Sequence, residues 1–477
     1  MKITIQKNND VKSGVVRVAF DTTIASSRFN GEVLTIKIDD LKDSGLYNFR
    51  LLLRSVVRTA QGNKIEKLAL DFAELYKMAQ EAHVITDTAK VCGDVLTELE
   101  LAEMIGYELE LANYNFNDYK TKPKEGFAEV KEVQIVELSA PSAKLVKSLK
   151  GGQDVANIVN DARSVANTPA QDMTPKKLSS IAKAGAKKVS GVKVKVLNKK
   201  QIEAQKMEAF LAVSRASSHD PQLIILEYTG GKRAEKPLAI VGKAITYDTG
   251  GLGIKPGEGM VDMHLDMSGG AMAIHSVLAM AKLGIKKNVI AIVPACENAI
   301  GKDAYRNGDI LTSMSGKTIE VRHTDAEGRL ILADALTYAQ KHYKPKTIVD
   351  IATLTGAAVM AIGQHASLIM TNSCQSKLPS IARKAGAETG TRVWQMPLWD
   401  VYKRYVKSKV ADISNLGSSK WGGALTAGIF LAAFIDKGQD WMHIDIAPRM
   451  ESVDGDELAH GATGEPVYLL TKLAEKV

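Results

Sequence analysis

The chain has 477 residues, of which 45% are hydrophobic and 24% are charged, the ordinary balance of a soluble globular protein. This length is too great for one typical domain and predicts two or three. The cysteines Cys92, Cys296 and Cys374 are few, odd in number and not spaced as CxxC pairs, which argues against a disulfide framework and for the reducing cytoplasm.

Residues 1–150 predict a small N-terminal α/β domain. Behind Met1 the apolar residues are interrupted by Lys and Asn, so no continuous apolar segment of the signal-peptide kind forms. Alternation over 33–38 predicts a strand, the acidic amphipathic pattern over 98–113 predicts a helix, and 133–138 predicts a short strand. The run Lys150-Gly151-Gly152 breaks the pattern. A helix from Asp154 to Ala166 is then predicted inside a connecting segment, residues 151–172.

Most of the net charge of +8 comes from one short segment. Residues 176–200 contain nine lysines and no acidic residue. A helix is predicted over 175–189, followed by a strand over 192–196 that places Lys193 and Lys195 on one face, toward solvent. A solvated face is the favoured interpretation of such a run, and nucleic-acid binding is the alternative.

Residues 173–477 predict a larger domain in which strands alternate with helices. Such alternation is typical of a mainly parallel central sheet flanked by helices. The predicted strands are 223–226, 238–241, 289–294, 347–351 and 442–446, and the predicted helices are 270–283, 328–343 and 424–435. The longest apolar stretch, residues 421–435, has 15 residues and is shorter than the about 20 of a membrane span, so it predicts a buried helix and no membrane contact.

An acidic, glycine-rich stretch follows the predicted strand at 238–241. It contains the acids Asp248 and Asp266 and the lysines Lys243 and Lys255. Open α/β sheets place their sites in loops at the carboxyl ends of strands, so we expect these side chains to line a site. Divalent cations of the hard class require oxygen ligands, and zinc accepts them too. Taken alone, the Gly242-Lys243 pair also suits a phosphate contact.

The second acidic stretch has the sequence TDAEGRL. Asp325 and Glu327 are two residues apart and are expected to project the same way from extended backbone. Gly328 lets another group approach the main chain closely, and Arg329 adds a fork of donors for an anion. The two stretches together supply four carboxylates. Their four negative charges would balance the four positive charges of two divalent cations, as in a dinuclear hydrolase.

Other interpretations of these acids exist. An Asp and a Glu two residues apart most often lie in a surface turn and form a local ion pair. The presence of the first acidic stretch argues against this interpretation here. Four carboxylates with an arginine would also suit a dinuclear phosphoesterase. The nine histidines form no HExxH pattern, so a single-zinc protease is not supported.

Both stretches resemble the active site of the leucyl aminopeptidase family of dinuclear zinc exopeptidases. The TDAEGRL string fits the family, as does the order Lys, Asp, Lys, Asp upstream. The resemblance extends from about residue 160 to the end, through Ala166–Pro169, Asp309–Val321, Ala352–Gly356, Ser408–Asp412 and His443–Ala447. It implies that residues 173–477 form a catalytic metallopeptidase domain and that residues 1–150 stand where the family has a variable domain.

The resemblance assigns the metal ligands. The tightly held metal would use Lys243, Asp248, Asp266 and Glu327. The exchangeable metal would use Asp248, Asp325 and Glu327, with the Asp325 carbonyl as an extra ligand, so that Asp248 and Glu327 bridge the pair. Zinc is the metal that the family implies, with manganese or magnesium as alternatives at the exchangeable site. A lysine ligates metal only when neutral, so Lys243 requires a strongly lowered pKa.

The resemblance also assigns the chemistry. Lys255 would polarise the scissile carbonyl, and Arg329 would hold a bicarbonate ion that takes a proton from the bridging water. The implied activity is release of Leu and other apolar residues from peptides with a free N-terminus. An apolar pocket is expected from positions that match family pocket residues, namely Met263, Thr353, Leu354 and Gly356. The family further implies a cytoplasmic homo-hexamer, and DNA binding, known for some members, would be a second activity.

Three positions depart from the usual family pattern. His323 stands where Asn is usual, His264 where Lys or Arg is common, and Pro448 where Gly is usual. None is an expected metal ligand, so the expected reaction class is unaffected, whereas substrate preference and pH profile depend on them. A hydrogen-bonded structural role is the favoured interpretation of His323, with metal ligation as the alternative.

Overall fold

The structure, a computed structural model, describes residues 1–7, 14–38, 45–83, 97–137 and 140–477. Cys92 and Leu138, which entered the predictions above, lie outside these residues. The chain forms two compact units. The first contains Met1–Asn160 and Ser452–His460, and the second contains Asp161–Glu451 and Gly461–Val477.

The first unit is a mainly parallel sheet with helices. Its strand order is β1-β6-β5-β2-β4-β3 in the described part of the chain, and β3 is antiparallel to β4. The predicted strand at 33–38 and helix at 98–113 are both confirmed. The elements up to residue 167 are β1 (Lys2–Lys7), β2 (Val16–Asp21), β3 (Arg28–Phe29), β4 (Val33–Lys37), α1 (Gly45–Gly62), β5 (Lys67–Asp71), α2 (Phe72–His83), α3 (Glu98–Asn113), β6 (Glu132–Glu137) and α4 (Ala143–Asn167).

The predicted break at Gly151-Gly152 is wrong, because α4 runs through both glycines without interruption. The reason lies in how closely α3 and α4 pack. A Cβ atom on Gly152 would lie 1.9 Å from the carbonyl oxygen of Glu103, and one on Gly106 would lie 2.1 Å from the carbonyl oxygen of Leu149. Gly152 is therefore required by a helix–helix contact and not by a turn.

This contact predicts opposite effects for two neighbouring substitutions. Gly152→Ala should lower the free energy of unfolding by about 1–3 kcal/mol, because the added methyl group forces the helices apart. Gly151→Ala is the matched control, since a Cβ there meets no atom within 4 Å, and it should raise stability by about 0.5–1 kcal/mol. Denaturant unfolding of both variants measures the difference, and equal effects would contradict this account of the contact.

The second unit is built on a nine-stranded sheet in the order β16-β15-β18-β14-β9-β11-β8-β7, with β10 paired to β11. Its elements are α5 (Pro175–Ala186), β7 (Val192–Leu197), α6 (Lys199–Ala204), α7 (Glu208–Ser214), β8 (Gln222–Thr229), β9 (Leu238–Gly242), β10 (Ala244–Asp248), α8 (Ser268–Leu283), β11 (Asn288–Asn298), β12 (Ile310–Thr312), β13 (Thr318–Glu320), α9 (Gly328–Tyr343), β14 (Thr347–Ala352), α10 (Gly356–Ile362), β15 (Ser367–Thr371), α11 (Leu378–Thr389), β16 (Val393–Gln395), β17 (Ile413–Ser414), α12 (Gly423–Ala432), β18 (Asp440–Asp445) and α13 (Pro466–Lys476).

The predicted α/β class and mainly parallel sheet are confirmed. All five strands and all three helices predicted for this part of the chain are present. The helix predicted over 424–435 ends at Ala432, and the next residues form tighter turns, such as the bond from the Phe434 N–H to the Leu431 carbonyl. In β7, Lys193 and Lys195 are exposed, as predicted. None of the described helices is both long and apolar enough to cross a membrane.

The sheet brings the two acidic stretches together. Lys243 directly follows β9, Asp248 is the last residue of β10, and Thr353 directly follows β14. Strands β9 and β14 are parallel neighbours, so their carboxyl ends lie side by side. Helix α9 begins at Gly328, immediately after Glu327. Lys243, Asp248 and Thr353 therefore lie at the carboxyl ends of strands, where the sequence placed them.

Candidate metal centre

Three carboxylates from the two acidic stretches converge. One ligand atom from each of Asp248, Asp325 and Glu327 lies within 4.8 Å of the others. The extended backbone expected for Asp325 and Glu327 is wrong: Asp325 lies in a turn, and Glu327 has helical dihedral angles at the start of α9. The turn and the start of the helix direct both side chains to the same point, in place of the extended backbone that the sequence predicts.

Lys243 lies at the closed end of the cluster. Its Nζ lies 2.7 Å from Asp266 Oδ2 and 2.9 Å from Glu327 Oε1, and it donates a hydrogen bond of 2.8 Å to the Thr353 carbonyl. Burial alone would lower the pKa of Lys243, but the carboxylates of Asp266 and Glu327 outweigh it and raise that pKa. The Lys243 chain passes over Gly328, where a Cβ would lie 2.6 Å from Lys243 Cε, so the close approach predicted for Gly328 is confirmed.

Lys255 lies at the open end of the cluster. Its Nζ is 2.8 Å from Asp248 Oδ2 and 2.6 Å from Asp325 Oδ1. Its side chain is 15% exposed, against 3% for Lys243, so Lys255 is the lysine that a molecule entering from solvent can reach. Burial alone would lower the pKa of Lys255, but Asp248 and Glu327 outweigh burial and raise it.

The cluster has more negative charge than its lysines compensate. Burial raises the pKa values of Asp266, Asp325 and Glu327, and repulsion from Asp248 adds to the increase. Four carboxylates face two ammonium groups, which leaves two negative charges uncompensated by those lysines. Glu327 Oε2 is buried and has no hydrogen-bond partner among the residues that the structure describes. Oxygen donors, excess negative charge and an unpaired buried carboxylate oxygen are together the chemistry that divalent cations fit.

Arg329 lies beside the carboxylates in the first turn of α9 and is buried. Its Nη1 donates a hydrogen bond of 2.9 Å to the Asn415 carbonyl, whereas its buried Nε has no hydrogen-bond partner in the described part of the chain. Burial lowers the pKa of Arg329 to about 10, so the guanidinium remains charged at neutral pH. A charged guanidinium with an unsatisfied N–H is suited to holding a small anion.

The backbone around Asp325 is held by Asn415, which was not singled out from the sequence. The Asn415 side chain accepts the Arg322 N–H at 2.8 Å and donates to the His323 carbonyl at 2.7 Å and the Ala326 carbonyl at 3.4 Å. It is fully buried. The amide thus replaces the backbone partners that this loop lacks. No local pattern marks Asn415, because the residues it holds lie about 90 positions away.

Asn298, at the end of β11, is a second buried amide that stabilises the site, and the sequence did not indicate it. Its Nδ2 donates to Asp248 Oδ1 at 2.8 Å and to the Thr324 carbonyl at 3.1 Å, which links the two acidic stretches. The hydroxyl of Tyr305 donates to the same carbonyl at 2.6 Å. The Thr324 hydroxyl in turn donates to the Gly250 carbonyl at 2.6 Å. Each of these bonds joins segments distant in the chain, so spacing could not reveal them.

The expected pocket residues lie beside the cluster. The Thr353 hydroxyl donates to Asp266 Oδ1 at 2.8 Å, and the Leu354 N–H donates to Asp445 Oδ1 at 3.1 Å. Gly356 begins α10 and is exposed, and Met263 begins the short helix that ends with Asp266 and Met267. Asp445 also accepts from the Thr355 hydroxyl at 2.8 Å, so it orients the loop after β14.

The three departures from the family pattern are near the cluster and at the end of β18. The Asp325 N–H donates to His323 Nδ1 at 3.1 Å, so neutral His323 carries its proton on Nε2. His264 lies in the same short helix as Asp266, and burial lowers its pKa. Pro448 is buried in a helical turn after β18.

Comparison with known proteins decides the family. The profile described as "Cytosol aminopeptidase family, catalytic domain" matches residues 160–471. The chain belongs to the cytosol aminopeptidase family. A "Probable cytosol aminopeptidase" of Methylobacillus flagellatus is 38% identical over 447 residues, which cover 94% of this chain and 85% of the relative. Another with the same name, from Saccharophagus degradans, is 41% identical over 412 residues, covering 85% and 80% of the two chains.

Solved structures agree with this membership. A mutant of tomato leucine aminopeptidase superposes with a TM-score of 0.85 at 26% identity, covering 100% of this chain and 97% of that chain. The bottromycin maturation enzyme BotP in complex with Mn gives a TM-score of 0.81 at 25% identity, covering 97% and 99%. The resemblance noted from the sequence is confirmed. This member of the cytosol aminopeptidase family is a metallo-exopeptidase, a hydrolase of the aminopeptidase class.

The role of Asn415 can be tested directly. Asn415→Asp keeps the shape but turns the Nδ2 donor into an acceptor that faces two carbonyl groups. An unsatisfied buried group costs about 1–3 kcal/mol, and we expect at least about a tenfold loss of kcat with weaker metal retention. Asn372→Asp is the matched control, because exposed Asn372 also donates to a carbonyl, that of Gln439 at 3.0 Å. Normal kcat and metal content in Asn415→Asp would show that the loop does not need this strut.

Proposed function

We propose that this aminopeptidase uses two divalent metals to release Leu and other apolar residues from peptides with a free N-terminus. The observation that carries the proposal is the cluster of four carboxylates with two lysines, in which the acids outnumber their partners and Glu327 Oε2 has no hydrogen-bond partner. Such a cluster is costly to bury unless cations complete it.

The ligand assignment follows from the geometry and the family. Lys243, Asp248, Asp266 and Glu327 would hold the first metal, and Asp248, Asp325 and Glu327 would hold the exchangeable one. Ligand atoms of the last three already lie within 4.8 Å of one another. The carboxylates of Asp266 and Glu327 raise the pKa of Lys243, so ligation by Lys243 would require loss of a proton as metal binds. Zinc is the proposed metal. Manganese or magnesium is the alternative at the exchangeable site, and BotP was solved in complex with Mn.

Two divalent cations, when bound, lower the pKa of a shared water toward neutrality and supply hydroxide for attack on a peptide carbonyl. Lys255 would stabilise the oxyanion that develops on that carbonyl. Its partial exposure and its place above Asp248 and Asp325 support this role. Lys243, by contrast, is enclosed and lies against Asp266 and Glu327.

Arg329 would hold a bicarbonate ion that serves as the proton acceptor for the attacking water. The buried Arg329 Nε without a partner supports this assignment, because an enclosed guanidinium N–H is stabilised by an anion. The guanidinium is already held in place by its hydrogen bond to the Asn415 carbonyl. Binding of the ion would therefore cost little reorganisation of the arginine.

Selection for a free N-terminus would come from the substrate amine, which binds metal as a neutral ligand or donates to Asp266. The first side chain would enter a pocket formed by Met263, Thr353, Leu354 and Gly356. Peptides are the proposed partners. A cytoplasmic location and a homo-hexamer complete the proposal. The location is supported by the word cytosol in the names of the relatives, and the hexamer by family membership.

Hydrolysis of Leu-p-nitroanilide before and after chelation tests this function, with metal content measured on the same sample. Activity should disappear with the metal and return on addition of zinc or manganese. N-acetyl-Leu-p-nitroanilide is the matched substrate control and should not be cleaved. Full activity of the metal-free protein, or cleavage of the acetylated substrate, would contradict the proposal.

The two metals should respond differently to two near-isosteric substitutions. Asp325→Asn and Glu327→Gln each remove a charged ligand and should reduce turnover to a trace. Glu327→Gln should lose more metal, since Glu327 is proposed to bind both ions and Asp325 only one. Elemental analysis gives the metal per chain. Two full equivalents in Glu327→Gln would rule out the bridging role.

Lys255→Met separates catalysis from metal binding. We expect kcat to fall by about 10²–10³, the loss seen when one oxyanion donor is removed, while metal content stays at the wild-type level. Steady-state kinetics and elemental analysis on one preparation provide both numbers. Parallel loss of metal would identify Lys255 as a ligand or a structural residue.

A further inference from the structure

Three aromatic residues in neighbouring segments are here called the aromatic shelf: the exposed Trp399 and Trp421, and the partly buried Tyr402. Trp399 is 62% and Trp421 is 74% exposed, which is unusual for the largest apolar side chain. The rings of Trp399 and Tyr402 are nearly parallel, with an angle of 8° and centroids 6.2 Å apart. A Cβ on Gly422, the residue after Trp421, would lie 3.9 Å from Tyr402 Cε1, so the backbone next to Trp421 lies against the Tyr402 ring.

The loop that carries Trp421 is tied to the candidate site at both ends. At residue 415 it begins with the asparagine that holds the backbone around Asp325. At its other end, a Cβ on Gly423 would lie 2.9 Å from Ala357 Cβ in α10, the helix that begins at pocket residue Gly356. Between them the Ser418 N–H donates to the Tyr405 carbonyl at 2.8 Å. The shelf is therefore continuous with the rim of the site.

The segment that carries the shelf is rich in basic residues. Residues 399–421 contain five basic and two acidic side chains. Lys420 Nζ lies 4.7 Å from the centre of the Trp421 ring. Of the acids, Asp400 is paired with Lys403 at 2.7 Å, and Asp412 accepts the Thr318 N–H at 2.8 Å. The excess of basic over acidic side chains in this segment favours an anionic partner.

We propose that the aromatic shelf binds the downstream part of the peptide substrate, preferring an aromatic or apolar residue close to the C-terminal carboxylate. This inference rests on the proposed function. With the amino end of the peptide at the metal cluster, the rest of the chain must leave across the rim. A flat aromatic surface matches an apolar side chain. The surrounding lysines and arginine match the carboxylate that every free peptide carries.

The test compares a short and a long substrate that share their first residues, Leu-Gly and Leu-Gly-Gly-Phe. Wild type should cleave the tetrapeptide with the higher kcat/KM. Trp421→Ala should lose roughly tenfold in kcat/KM on the tetrapeptide, about the energy of one aromatic pair, chiefly through KM, and should be unchanged on Leu-Gly. Trp421→Phe keeps a stacking ring and should retain most of the preference. Tyr119→Ala removes an aromatic side chain that is 53% exposed in the first unit and serves as the control.

Amidation of the tetrapeptide should reduce its advantage severalfold, because the carboxylate is part of what the shelf recognises. The role of the shelf in substrate binding would be overturned if Trp421→Ala lost equal activity on both peptides, or if wild type had the same kcat/KM for both. Neither result would contradict the proposed function. A smaller oligomer in Trp421→Ala by light scattering would assign the surface to a second copy of the chain. Competitive inhibition by a single-stranded oligonucleotide would assign it to nucleic acid. Failure of wild type to cleave Leu-Gly would overturn the proposed function and this inference together.

Discussion

The close placement of four carboxylates, three of them buried and that of Asp325 partly exposed, is the constraint on which the rest of this site depends. Like charges at this spacing repel, and burial removes the water that would screen them. Lys243 and Lys255 each bridge two of these acids, one at the enclosed end and one at the open end. Their charges do not balance the four carboxylates: burial raises the pKa values of Asp266, Asp325 and Glu327, and repulsion from Asp248 raises them further. This is the charge pattern that divalent cations fit.

The surrounding structure holds the acids in place against that repulsion. Asn298 and Asn415 are buried amides whose hydrogen bonds go mostly to the backbone of the acidic loops. A neutral amide can fix a loop without adding charge, whereas a charged strut would disturb the balance at the metals. Both asparagines come from the ends of strands, β11 and β17, so the rigidity of the sheets passes directly to the ligands.

The same framework extends from the metals to the rim. Asn415 belongs to the segment that leads to Trp421, and Arg329 is anchored on the Asn415 carbonyl. The loop that carries Trp421 therefore begins at a residue that holds the backbone of the candidate site. Under the proposed function, this arrangement would couple recognition of a distant part of a substrate to the groups that carry out the reaction.

The sequence alone was enough to predict the fold class, the principal strands and helices of the second unit, and the two acidic stretches, whereas shorter elements such as β10, β15 and α10 were not predicted. Strand and helix periodicity is local, and the TDAEGRL string with its upstream lysines and acids sufficed to indicate the family. Three features needed the tertiary structure. Gly152 looked like a break, but it is a helix contact with Glu103, and the convergence of Asp325 and Glu327 comes from a turn before α9 in place of extended backbone. Asn415 and Asn298 stabilise loops distant in the chain, and long-range hydrogen bonds leave no periodic trace in a single sequence.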